Sequence, residues 1–185
     1  EVARKGDLYL PADEDYIALA RQKELVAEAI PVARMSAVLA VRKGNPKNIR
    51  GVADLKADSI KLAQANPDAA AIGKLTRAAL QQAGQWEALA KKTLVFKPTV
   101  NDVANDLKLG TVDAGFVWDA MLKQYPELEA VAVPELKDVT ARISVGVIKS
   151  CEQPAAALQF ARYLAARDRG EVVLARHGYA PVNGD

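Results

Sequence analysis

The stretch Ile60-Lys61-Leu62-Ala63-Gln64-Ala65-Asn66-Pro67-Asp68-Ala69-Ala70-Ala71-Ile72-Gly73 passes from a β-favouring run into a helix-favouring one. Ile60–Ala63 reads as a buried strand. The segment from Pro67 to Ala83 is rich in Ala, Leu, Gln and Lys, and Gly84 stops it, so a helix is expected there. Asn66 suits the cap and Pro67 the first helical position, with a start nearer Asp68 as the alternative.

The same alternation extends in both directions. Upstream, Asp7–Leu10 reads as a short strand, and a helix follows from about Glu14 with Ile17, Leu19, Ala20, Leu25 and Val26 on one stripe. Pro31 is expected to interrupt before Ala37–Val41, an apolar run of the kind buried on both faces. A basic loop (Arg42–Arg50) and one helical turn (Gly51–Leu55) complete that side.

Downstream come a helix at Trp86–Lys91, a strand at Thr93–Phe96 and a helix from Thr99 to Gly110. A strand at Asp113–Trp118 and a brief helix at Asp119–Gln124 follow, then strands at Ala130–Val133 and Ile143–Ile148. Helices at Ala155–Ala166 and Gly170–Arg176 precede a coil tail from Pro181 to Asp185. Strands alternating with helices at this spacing predict an α/β fold with mostly parallel sheets and flanking helices.

Composition excludes several functions. Lys+Arg number 25 against 23 Asp+Glu, a balance that argues against nucleic-acid binding, and the basic loop reads as solvated surface. No apolar run reaches the length of a membrane span, and the first residues are charged, so neither a transmembrane helix nor a signal peptide is expected within the sequence. Cys151 and His177 are single and far apart, which offers no metal site and no disulfide. Cys151 is expected to be a free thiol in a turn, and His177 an ordinary residue after the last helix. Asp13-Glu14-Asp15 suits a helix start rather than acid–base chemistry. No catalytic constellation, cofactor motif or phosphate loop is present, so no enzyme is expected.

Two helix starts carry the remaining chemistry. Small residues from Ala69 to Ala71 let a ligand approach amides that lack intrahelical acceptors and carry partial positive charge. At the second start, Thr99 caps with Asp102 three residues on, leaving the Val100 and Asn101 amides pointing outward. Both starts follow strands, so a parallel sheet places them at one carboxyl edge, where ligands bind. Each is also what an ordinary cap looks like. Trp118, at the end of its strand, either donates an indole N–H there or fills core.

Four blocks in this order resemble the molybdate-binding proteins of bacterial ABC importers: Gly6–Asp13, Val38–Pro46, Asn66–Trp86 and Val112–Trp118. The resemblance implies a two-lobe, periplasmic-binding-protein-like fold of type II that closes on hinges near Met35–Ala40 and Ala141–Val145. Residues 1–37 and 142–185 would form lobe I, incomplete for want of about 50 N-terminal residues, and 38–141 lobe II. It further implies capture of a molybdate- or tungstate-like oxyanion in the periplasm for a membrane permease, with no cofactor. Its amide contacts fall on Ile72, with Ala71 adjacent, and on Val100. Its tyrosine falls on Trp118, a departure that bears on which anion is preferred. Arg34, near the first hinge, is a further candidate that would suit phosphate or carboxylate. The alternative is a domain of the same fold binding such an anion in a transcription regulator or surface adhesin.

Overall fold

The computed structural model describes residues 6–182; Glu1–Lys5 lie outside, as does the end of the coil tail from Asn183. Among the described residues the order is β1 (Leu8–Tyr9), α1 (Glu14–Gln22), β2 (Val26–Arg42), β3 (Leu62–Ala65), α2 (Ala71–Gln82), α3 (Trp86–Lys92), β4 (Thr93–Lys97), α4 (Val100–Leu109), β5 (Ala114–Trp118), β6 (Leu128–Val131), β7 (Thr140–Ile148), α5 (Pro154–Ala165) and α6 (Gly170–Arg176). Short 3-10 turns occupy Asp54–Lys56, Asp119–Lys123 and Pro134–Leu136. No helix among them is long and apolar enough to cross a membrane. The chain divides into two compact units, Glu1–Met35 with Ala141–Asp185, and Ser36–Thr140.

In the first unit β1 pairs antiparallel with β7, Leu8 opposite Val147 and Tyr9 opposite Gly146. Asp13 caps α1 by accepting from the Asp15 amide at 2.9 Å, the structural use expected of that acidic run. Ile17, Ala20, Val26, Val145, Val147, Ala157 and Ala161 are buried between sheet and helices. The expected stripe runs too far: the helix ends at Gln22, and Leu25 and Val26 pass into β2. Pro31 does not interrupt, and β2 runs unbroken for 17 residues through it. Proline's fixed φ lies within the extended region, and a strand tolerates it wherever its nitrogen owes nothing to the ladder.

The second unit holds a sheet in which β2 pairs antiparallel with both β5 and β6, β5 pairs parallel with β3, and β3 pairs parallel with β4. The strand order is thus β6-β2-β5-β3-β4, four strands running one way and β2 against them. Leu39, Val41, Leu62 and Phe116 from the sheet and Leu80, Leu89, Val103 and Leu107 from the helices are almost wholly buried. On α4 the buried positions Val103, Ala104 and Leu107 follow the helical period. Gly110 ends that helix at φ 73°, the left-handed conformation glycine adopts without strain, and Thr111 closes the motif by donating to the Asp106 carbonyl at 3.1 Å.

Three boundaries in this unit move. The strand expected at Ile60–Ala63 is Leu62–Ala65. Ile60 is held in a turn by donating to the Ala57 carbonyl, and the Lys61 amide donates to the Asp113 carboxylate. Gln64 is buried in the strand with its side-chain amide donating to Thr93 Oγ1 at 2.6 Å, while its Oε1 has no partner among the described residues. The strand expected at Ala130–Val133 is Leu128–Val131, because the chain then turns toward Pro134. The start of α2 also shifts, with consequences for the site.

Candidate functional site

β3, β4 and β5 run parallel, so the chain leaves all three at the same edge. α2 begins after β3 and α4 after β4, and Trp118 is the last residue of β5. The edge is tied together where the Asn66 amide donates to the Lys97 carbonyl at 2.8 Å.

α2 starts at Ala71, four residues later than the sequence suggests. Asn66 caps a turn rather than the helix: its Oδ1 accepts from the Asp68 amide at 2.9 Å, and its carbonyl accepts from Ala69 and Ala70. Pro67 has no amide to offer. Every donor between Asn66 and Ala70 is therefore spent locally, and Ala70, extended at φ −115°, supplies no side-chain cap. The Lys74 amide is the first to return to the helix, donating to the Ala70 carbonyl. The amides of Ala71, Ile72 and Gly73 are left with no acceptor among the described residues. The Ala71 and Ile72 side chains are buried, which fixes this turn in place. Thr76 adds a clamp by donating its hydroxyl to the Ile72 carbonyl at 2.7 Å.

α4 begins as the Thr99-x-x-Asp102 spacing predicts. Thr99 Oγ1 accepts from the Asp102 amide at 3.2 Å, and Asp102 Oδ2 accepts from the Thr99 amide at 3.2 Å and from its hydroxyl at 2.7 Å. That reciprocal cap leaves Val100 and Asn101 as the amides with no acceptor among the described residues. Trp118 sits opposite Ala37 in the ladder and is 3% exposed, and its indole N–H likewise has no acceptor among the described residues. Cations beside both starts are paired with carboxylates: Lys97 with Asp106 at 2.7 Å, and Arg77 with Asp68 at 2.9 Å.

Of the six residues read from the sequence, Ala71, Ile72, Val100, Asn101 and Trp118 fall on this edge. Arg34 lies in the first unit, where its backbone exchanges two 2.9 Å hydrogen bonds with Ala180. Gly73 is the donor that sequence reasoning passed over; a glycine at the third position of a helix, preceded by three alanines, was its signal. The edge offers donors to an anion and no ligand set for a metal, and among the described residues no group of three His, Cys, Asp or Glu side chains converges anywhere.

The two-unit α/β architecture is that of a solute-binding protein, and the chain belongs to the family described as bacterial extracellular solute-binding protein, which matches residues 1–180. Within it the chain is 29% identical over 178 residues to the molybdate-binding protein ModA of Mycobacterium bovis, and equally to that of Mycobacterium tuberculosis. The match takes in 95% of this chain and 66% of each relative, so the chain spans just under two thirds of their length. Among solved structures, the periplasmic molybdate-binding protein of Azotobacter vinelandii shares the fold at 18% identity and a TM-score of 0.77, covering 96% of this chain and 79% of that one. PEB3 with bound L-phospholactate aligns at 18% identity and a TM-score of 0.76, covering 96% and 81%. Structures named for sulfate, iron and thiamin share the fold as well, so fold alone does not select the solute.

Proposed function

We propose that this chain is the solute-capturing component of a bacterial ABC importer and that it holds a small tetrahedral oxyanion of the molybdate and tungstate class. The observation that carries the reading is the set of five amides, from Ala71, Ile72, Gly73, Val100 and Asn101, left without acceptors among the described residues at one strand edge. One helix terminus contributes only about 0.3–1 kcal/mol toward an anion, so affinity needs several donors acting together in place of the water shell. Similarity to the molybdate-binding ModA proteins supports the choice of anion. The protein works outside the cytoplasm, passes its solute to a membrane permease and performs no chemistry on it. Closure of a second lobe over the anion belongs to the same proposal.

A second reading, phosphate or a small carboxylate as the solute, is favoured by Trp118. Indole is bulkier than the phenol that the resemblance implies, which changes the space open to the anion. Thermal unfolding of the intact natural protein against molybdate, tungstate, sulfate, phosphate and a small carboxylate separates the two. At 100 times its dissociation constant a ligand adds about 2.7 kcal/mol, a shift of roughly 5–10 °C for a chain of this size. Stabilisation by molybdate and tungstate is expected. Stabilisation by phosphate or carboxylate alone moves the reading to the second anion class, and no shift with any of them ends both.

A further inference from the structure

Gly73 is buried in the first turn of α2 and its φ is unremarkable, so backbone conformation does not call for glycine there. Space does. A β-carbon on Gly73 would lie 2.5 Å from the Ala65 carbonyl oxygen and 2.7 Å from both the carbonyl carbon and the carbonyl oxygen of Asn66. All three are backbone atoms at the end of β3, where Ala65 is in register with Lys97 and the Asn66 amide is bonded to Lys97. They cannot swing aside as the tip of a side chain would.

We propose that Gly73 is the positioning residue of the anion site: by lacking a β-carbon it lets the first turn of α2 rest directly on the end of β3. That contact holds the Ala71, Ile72 and Gly73 amides level with those of Val100 and Asn101. The inference rests on the oxyanion reading above. A methyl group at Gly73 forces the helix start outward by roughly 0.5 Å before the contact reaches the 3.0 Å that real β-carbons respect. Binding constellations work only when held to about that tolerance. The displacement acts on three donors at once while leaving their chemistry intact.

The test is calorimetric titration of sodium molybdate into the intact wild-type protein, Gly73→Ala and Leu80→Ala, at a temperature where circular dichroism shows all three folded. Leu80 is fully buried toward the far end of the same helix, so its truncation lowers stability without touching the start. The expected result is a dissociation constant at least tenfold weaker for Gly73→Ala and within about threefold of wild type for Leu80→Ala. An amide NMR titration of the wild-type protein covers the case in which Gly73→Ala does not fold, and the Gly73, Ala71 and Ile72 cross-peaks are expected to move together. Wild-type binding with Gly73→Ala affinity unchanged, or with a stationary Gly73 cross-peak, overturns this inference alone. Absence of wild-type binding overturns it together with the oxyanion reading.

Discussion

Asp102 holds a position where stability and binding make opposite demands. Its carboxylate closes the cap of α4, accepting from the Thr99 amide and hydroxyl. It also puts a negative charge within one turn of the Val100 and Asn101 amides, where the proposed anion would sit. In Asp102→Asn the amide oxygen can accept the same two hydrogen bonds, so the cap keeps its shape and only the charge is lost. The helix-dipole contribution of a first-turn carboxylate is about 0.3–1 kcal/mol, so the melting temperature is expected to fall by roughly 1–4 °C.

Binding moves the other way. A unit charge and a divalent anion roughly 6 Å apart in a water-like dielectric repel by about 1.4 kcal/mol. Removing that repulsion tightens molybdate binding about tenfold. Salt screens the effect, so the gain is present at about 10 mM ionic strength and gone near 1 M. Calorimetric titration at both salt concentrations, with thermal unfolding of the unliganded variant, reads the two effects separately. A variant that melts lower yet binds molybdate no more tightly at low salt refutes the reasoning, because no anion is then close to the start of α4.

Two further outcomes test the fold and the lone thiol. Leu107 is fully buried between α4 and the sheet, so Leu107→Ala is expected to destabilise the protein by about 2–5 kcal/mol in urea unfolding, and a loss below about 1 kcal/mol would contradict this packing. The Cys151 thiol donates to Asp7 Oδ1 at 3.0 Å, and that hydrogen bond, followed by partial burial, raises its pKa above the ordinary 9.0. The reactive thiolate therefore appears only at higher pH than for a free cysteine. The pH profile of iodoacetamide labelling should lie above that of a model thiol and move down in Asp7→Asn; superimposable profiles would show that the Asp7 contact is not made.

How far the sequence carried can be seen at the two helix starts. At α4 it carried all the way, because the cap is made by side chains whose spacing, Thr99-x-x-Asp102, is written in the chain. At α2 the deciding contacts are backbone to backbone. The Asn66 carbonyl takes two amides in a turn before the helix begins, and neither residue identity nor periodicity marks that turn off from a first helical turn. Gln64, buried in β3, donates to Thr93 Oγ1 across to the next strand, a tertiary contact that local pattern does not reveal. The βα alternation was legible because burial imposes its period on the residues themselves. The antiparallel course of β2 was not, since an apolar run buried on both faces reads the same in either direction.

The proposed edge is made of donors, and this bears on which anion suits it. Backbone amides and an indole N–H cannot accept, and the cations Lys97 and Arg77 are held by Asp106 and Asp68. Molybdate, tungstate and sulfate carry no proton near neutral pH, so each oxygen meets a donor and none is left unmatched. Phosphate in its monoprotonated form brings a hydroxyl that needs an acceptor. Burying that hydroxyl unpaired costs about 1–3 kcal/mol, a discrimination of roughly fivefold to more than a hundredfold. Asp102 is one nearby acceptor, but its Oδ2 is already engaged by Thr99 and its charge opposes the approach of any anion. On this chemistry the fully deprotonated oxyanions are better matched to the edge than phosphate.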